Sequence, residues 1–181
     1  MSAAWNWVKK HALSLLAAAV VAAMIYSEFE RARGVHLLPP GQPAPAFSLE
    51  RYQGGSVQLA SLRGKAVMMD FWATWCEPCA AEMPTLQKLA REYGPQGLEF
   101  VAANEDDAPG AAAAIAAFEA KVAPGLGPSV AYATGPFTAQ YRVTLFPTLY
   151  LIDRQGRVAD AMEGELPEFI LRRRIESVLG R

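Results

Sequence analysis

Apart from Cys76 and Cys79 the chain has no cysteine, and after His36 it has no histidine. These two shortages exclude several functions. A structural zinc site needs four ligands, usually two cysteine pairs or one pair with two histidines; there is no second pair, and the only histidines, His11 and His36, lie beside the N-terminal apolar run and in the linker that follows it. Covalent haem attachment needs a histidine directly after the second cysteine, where Ala80 stands. Copper delivery by a cysteine pair and a distant histidine fails for the same lack. A framework of structural disulfides is excluded because no third cysteine exists. Charge of one sign is scarce too, with 17 basic residues against 18 acidic ones. The nearest approach to a basic run, Arg172-Arg173-Arg174, sits in a helical pattern and reads as a solvated face, so nucleic acid is not an expected partner. No internal repeat is visible.

Hydrophobic residues make up 52% of the chain, and much of the excess is N-terminal. In "WNWVKKHALSLLAAAVVAAMIYSEFERARG" an uncharged apolar run from Ala12 to Tyr26 follows Lys9 and Lys10. At a rise of about 1.5 Å per residue it falls somewhat short of the ~30 Å hydrocarbon core. That length suits a signal-peptide h-region or a short membrane anchor. The expectation is an uncleaved, single-pass anchor over residues 1–27, with Lys9 and Lys10 on the cytoplasmic side and Trp5 and Trp7 at the interface. Arg31 and Arg33 beyond the run weaken that asymmetry, and the absence of a cysteine closing the run excludes a lipoprotein. Either reading exports the rest of the chain to the periplasmic or extracytoplasmic side. "LLPPGQPAPAF" is too rich in proline for a helix, so residues 28–40 read as a linker and 41–181 as one domain.

Within that domain, "FSLERYQGGSVQLASL" alternates around Gly54-Gly55 and predicts a hairpin. "KAVMMDFWA" is a continuous apolar run interrupted only by Asp70, as expected of a central buried strand. From Glu77 to about Tyr93 the spacing turns helical, with Met83, Leu86, Leu89 and Ala90 in one stripe and a kink expected at Pro84. "LEFVAAN" predicts a strand, "GAAAAIAAFEAKVA" a helix, "PSVAYA" a short strand, and "FPTLYLID" and "RVADAM" two more strands. "LPEFILRRRIESVLG" carries Leu166, Phe169, Ile170, Val178 and Leu179 at helical spacing. Strands alternating with helices predict an α/β domain whose central sheet is covered on both faces.

Cys76 and Cys79 fall where the central strand gives way to a helix. Cys76 at the helix start faces unsatisfied backbone N–H groups and the positive end of the helix dipole, which favour the nucleophilic thiolate. Cys79, one turn on, presents its sulfur on the same face and can close or reopen a ring with Cys76. Pro78 in the first turn surrenders no needed hydrogen bond. Glu77 suits a helix N-terminus but disfavours a neighbouring thiolate, which makes the pair less oxidising than a neutral residue there would. Two other readings stay open: a two-coordinate Cu(I) site on the two thiolates, and inert burial.

"MDFWATWCEPC", with Pro84 eight residues past Cys76, resembles the thioredoxin superfamily. "GQPAPAFSLERYQGGSVQLASLRGKAV" is similar to the lead-in of its membrane-tethered TlpA/ResA-type thiol–disulfide oxidoreductases. "YRVTLFPTLYLIDRQGRV" resembles the family's proline-bearing strand, and "MEGEL" the glycine turn before the final helix. The resemblance implies a thioredoxin-like fold with a central mixed sheet flanked by helices, an N-terminal β-hairpin extension and an N-terminal membrane helix. It implies that Cys76 attacks the substrate disulfide and Cys79 resolves the mixed disulfide. It implies a cis bond before Pro147, with Phe146 facing the disulfide. Trp72 and Trp75 are expected to shape the surface around the pair, although Trp72 also suits the core.

Two acids join the candidate site. Asp70 matches the buried aspartate of cytoplasmic thioredoxins, which is thought to exchange the resolving cysteine's proton; many TlpA/ResA-type chains have asparagine there. An acid inside an apolar strand is expected to have a raised pKa. Glu82 matches an acidic position near the pair in ResA-type proteins, and a solvated helix glutamate is the alternative reading. The resemblance implies exchange with protein disulfides as a reductant, in cytochrome c maturation or copper-centre assembly. It further implies a transmembrane electron donor of the DsbD/CcdA type. No cofactor or metal is expected for the exchange. The competing function is a Cu(I)-binding module. A peroxide-reducing relative shares the "APAFSL" lead-in, but its Pro-x-x-x-(Thr/Ser)-x-x-Cys setting is absent.

Overall fold

The computed structural model describes residues 16, 19–24, 37–106, 109–133 and 135–180. The chain divides into two units, Met1–His36 and Leu37–Arg181. In the first, residues 16 and 19–24 are helical, and Leu16, Val20, Val21 and Met24 are exposed. Among the described residues no helix is long and apolar enough to cross a membrane. The rest of the expected anchor over 1–27, and most of the linker over 28–40, lie outside the described residues.

The second unit is built on a five-stranded mixed sheet. Its strands are β3 (Ala66–Trp72), β4 (Leu98–Asn104), β5 (Val130–Tyr132), β6 (Thr148–Ile152) and β7 (Val158–Glu163). They lie in the order β5-β4-β3-β6-β7, with β3 parallel to β4 and antiparallel to β6. A separate hairpin of β1 (Ser48–Glu50) and β2 (Ser56–Gln58) turns through Gly54 and Gly55, both with the positive φ that side chains avoid. Four helices follow the strands: α1 (Glu77–Tyr93), α2 (Ala111–Lys121), α3 (Gly135–Gln140) and α4 (Glu168–Leu179). This is the α/β arrangement with a covered sheet that the alternation of strands and helices predicts.

The central strand explains the layering. All seven residues of β3 are buried because side chains alternate between two covered faces. Ala66, Met68 and Trp72 join a core with Met83, Leu86 and Leu89 of α1, Ile115 and Phe118 of α2, and Leu171 and Ile175 of α4. Val67, Met69 and Phe71 face the other core, which holds Leu49 and Val57 of the hairpin with Phe137, Tyr141, Leu37 and Leu38. One face is thus covered by three helices, and the other by the hairpin, the short α3 and the segment after Leu37.

α1 runs as one 17-residue helix that includes Pro84. Two details depart from expectation. β6 starts at Thr148, after the proline, because Pro147 has no N–H for a ladder. In the last helix Leu171 and Ile175 are buried, and Leu166, Val178 and Leu179 pack against the same core as expected, while Phe169 is exposed. Helix α4 begins only after Pro167, so Leu166 belongs to the preceding turn.

Candidate active site

The site forms where β3 ends and α1 begins. Cys76 is the N-cap of α1, and its Sγ accepts the Cys79 N–H at 3.2 Å. The helix starts there because the Ala80 N–H reaches the Cys76 carbonyl at 3.0 Å while Pro78 occupies a first-turn position that needs no donor. Cys76 and Cys79 are joined by a disulfide, with Cα atoms 5.3 Å apart. Both cysteines are buried, whereas Glu77 and Pro78 between them are exposed.

The opposite wall comes from the turn before β6. The Phe146–Pro147 peptide is cis, and Pro147 is buried. The Thr148 Oγ1 donates to the Leu145 carbonyl at 2.8 Å, and the Gly164 N–H donates to the Pro147 carbonyl at 2.9 Å, which ties the turn down. The Phe146 ring lies 5.8 Å from the Trp75 ring. Trp75, Cys76, Glu77, Pro78, Leu145 and Phe146 are among the residues lining an open groove of about 430 Å³. Trp75 is 71% exposed and Leu145 45% exposed, so the groove offers water an apolar surface beside the disulfide.

Trp72 is not part of that surface. It is fully buried, its ring 4.6 Å from that of Phe118, so of its two expected roles only the core one holds. It shares β3 with Asp70, two residues earlier and therefore on the same face as α1. Asp70 is 1% exposed, and among the described residues neither carboxylate oxygen has a hydrogen-bond partner. Burial pushes its pKa well above the ordinary carboxylate value, and the charge of Glu82 pushes it further.

Glu82 is 3% exposed. It is buried because it lies on the inward stripe of α1 with Cys79, Met83 and Leu86, at the i, i+3, i+4, i+7 spacing of one helix face. That spacing was available in the sequence and argues against the solvated reading. Its Oε1 accepts the Leu166 N–H at 2.9 Å from the turn before α4. Burial raises its pKa to about 7, with the Leu166 bond opposing and the charge of Glu165 adding to the rise. Two buried carboxyls therefore face the core that also holds the cysteine pair, one on β3 and one on α1; burial favours the protonated form of each, and Glu82 exchanges its proton near neutrality.

Sequence reasoning passed over Leu145 in the groove wall and a cluster of Thr74, Asn104 and Asp106 beside the strand-to-helix loop. The signal for Leu145 was an apolar residue adjoining the proline turn. For the cluster there was only an Asn-x-Asp at the end of an apolar strand.

A family model described as Redoxin matches residues 39–179. The thioredoxin-like protein YneN of Bacillus subtilis is 37% identical over 126 residues, covering 70% of this chain and 72% of its own. The thiol-disulfide oxidoreductase ResA of Bacillus subtilis is 32% identical over 139 residues, covering 76% of this chain and 75% of its own. Among solved structures, a Chlorobium tepidum protein assigned to DsbE, a thiol:disulfide interchange protein, superposes with a TM-score of 0.71 at 34% identity. That match covers 79% of this chain and 99% of the other.

Proposed function

The chain belongs to the Redoxin family, as a TlpA/ResA-type member of the thioredoxin superfamily, and on that premise we propose that it reduces protein disulfides outside the cytoplasm. It is a thiol–disulfide oxidoreductase of thioredoxin-like fold. The observation that carries the reading is the Cys76–Cys79 disulfide on the first turn of α1, with Cys76 opening on an apolar groove.

The reaction moves two electrons. In the reduced protein the Cys76 thiolate, stabilised by the helix N-terminus, attacks one sulfur of a substrate disulfide. A Cys76–substrate disulfide forms and the substrate's other sulfur leaves as thiolate. Cys79 gives up its proton and attacks the Cys76 sulfur, releasing the second substrate thiol and leaving the Cys76–Cys79 disulfide. Cys79 is sealed from water, so its proton passes to a buried group, and Asp70 and Glu82 are the acids on that side. Trp75, Leu145 and Phe146 receive the peptide chain flanking the substrate cysteine.

Glu77 supports the reductive direction. A carboxylate beside Cys76 disfavours the thiolate and thereby stabilises the disulfide, which makes the dithiol the stronger electron donor. Turnover then needs a source of electrons, for which a transmembrane thiol carrier of the DsbD/CcdA type fits a protein held at the cytoplasmic membrane by its N-terminal segment. Cysteines of apocytochrome c or of a copper centre are substrates that must be kept reduced in an oxidising compartment.

The test is the Cys79→Ser protein expressed in cells. It is expected to accumulate mixed disulfides through Cys76, separable on a non-reducing gel, whose partners identify the substrate. Absence of any adduct, together with stoichiometric tight Cu(I) binding by the wild type, would overturn the redox function in favour of metal handling.

A further inference from the structure

We infer that Asp106 is a positioning residue for polypeptide substrates: through Thr74 it holds Trp75 against Phe146, and so governs exchange with disulfides that carry a peptide chain. The inference rests on the thiol–disulfide reading of Cys76 and Cys79. It starts from Trp75, whose ring is 71% exposed. Burial cannot fix a side chain that open to water, so its place in the groove depends on the backbone on either side. Residues 73–75 join β3 to α1 with no ladder or helix bonds of their own.

On the C-terminal side the Cys76 N–H donates to the Ala73 carbonyl at 3.2 Å. On the other side everything converges on one carboxylate. The Thr74 N–H donates to both oxygens of Asp106, at 3.2 and 3.1 Å, and the Thr74 Oγ1 donates to Oδ1 at 2.9 Å. Asp106 is itself aimed by Asn104, the last residue of β4 and fully buried. The Asn104 Nδ2 donates to Oδ2 at 2.7 Å, and the Asp106 N–H donates to the Asn104 Oδ1 at 3.2 Å. The loop is thus clamped to the sheet through a chain of charge-assisted bonds.

The sheet does not need this clamp. β3 and β4 already pair over seven residues, from Ala66↔Leu98 to Trp72↔Asn104. What the Asp106 carboxylate adds is the place of Thr74, and with it the place of the next residue, Trp75. A small disulfide meets only the Cys76 sulfur, whereas a peptide disulfide must also lie along Trp75, Leu145 and Phe146. Loss of the clamp therefore separates the two kinds of substrate.

The experiment uses the reduced full-length protein and measures second-order exchange rates with two probes. One is hydroxyethyl disulfide, and the other is a cystine peptide with apolar residues flanking its cysteines. Asp106→Ala is expected to slow the peptide reaction about tenfold, the scale of a lost bond to a charged group, and to leave the hydroxyethyl reaction within about twofold. Asp106→Asn, which keeps an oxygen for Thr74, is expected to recover most of the peptide rate. In a Trp75→Ala background the same Asp106→Ala change is expected to add nothing to the peptide defect. Should Asp106→Ala fail to fold, Thr74→Val carries the test, with a peptide-selective loss of about threefold from one missing hydroxyl bond. Equal slowing of both probes, an undiminished effect in the Trp75→Ala background, or no effect at all would overturn the inference. Failure of the wild type to exchange with either probe would instead sink the thiol–disulfide reading itself.

Discussion

Asp70 and Glu82 are expensive residues to bury, and their cost is measurable. The Glu82 carboxyl has a folded pKa of about 7 against 4.5 for the free side chain, and that of Asp70 is also raised. Between such values the folded chain binds more protons than the unfolded one. Stability is therefore fullest below the unfolded pKa and falls as pH rises through the folded one. For Glu82 alone the fall between about pH 4.5 and 7 amounts to about 3 kcal/mol. Urea unfolding of the oxidised protein at pH 5 and pH 8 is expected to show this loss, and Glu82→Gln to flatten it; identical slopes in the two proteins would refute the assignment. Asp70→Asn is expected to raise the unfolding midpoint at pH 8 and, in rapid-mixing experiments, to slow resolution of the mixed disulfide. A variant no more stable than the wild type, or one with unchanged resolution, would count against a buried, proton-accepting Asp70. These acids were partly legible beforehand, Asp70 from its apolar strand and Glu82 from its match to ResA-type chains; the stripe it shares with Cys79 and Met83 was a signal left unread. Asp106 was not, because its partner Thr74 lies 32 residues away and meets it only once β3 and β4 are paired.

At the scale of elements, α1 and α4 decide whether Glu82 stays dry. The two helices meet through Leu171 and Ile175, and through outer ion pairs of Lys88 with Glu168 and of Arg172 with Glu92; Glu168 also pairs with Arg172 one turn on within α4. The buried pair matters far more than the exposed one, since solvent and salt screen surface charges. Leu171→Ala is expected to cost about 2–4 kcal/mol in denaturant unfolding. Lys88→Met, which breaks an exposed pair, is expected to leave the midpoint within error. Because the Leu166 N–H that binds Glu82 immediately precedes α4, Leu171→Ala is also expected to open the turn and lower the pH at which exchange activity rises. The apolar spacing of the final segment announced a helix, but its face depended on where Pro167 let the helix begin. That is why Phe169 points to water.

At the scale of the molecule, the segment from Leu37 to Phe47 acts as a strap across the face opposite α1. The Leu38 N–H donates to the Tyr150 hydroxyl at 3.1 Å, and the Tyr141 hydroxyl donates to the Pro45 carbonyl at 2.8 Å. The Gly41 N–H reaches the Val158 carbonyl at 2.7 Å, and Arg157 returns a bond to the Gly41 carbonyl at 2.7 Å. Leu37, Leu38 and Phe47 bury their side chains there. At about 1.5–3 kcal/mol each, their loss approaches the whole stability of a small domain. A fragment of residues 37–181 is expected to melt cooperatively and keep its exchange rate, whereas one of residues 48–181 is expected to lose its cooperative transition in calorimetry. Equal melting of both fragments would show that the strap is dispensable. A proline-rich stretch read as a linker gave no hint of this role, since the groups it binds, from Tyr141 to Val158, lie about a hundred residues further along the chain.

Local order and chemical inventory were settled by the sequence alone. Apolar runs marked the strands, helical spacing marked α1, and the scarcity of cysteine and histidine left the Cys76–Cys79 pair few roles other than redox exchange. Those features depend on near neighbours in the chain and on what residues are present, so no fold is needed to see them. The groove, the acid pair and the clamp depend on contacts across long separations. Phe146 meets Trp75 because β6 lies antiparallel to β3, and Leu166 meets Glu82 because α4 packs on α1. Which carboxylates lose water, and which aromatic ring stands at the disulfide, follow from burial and strand pairing, and only the tertiary structure decides those.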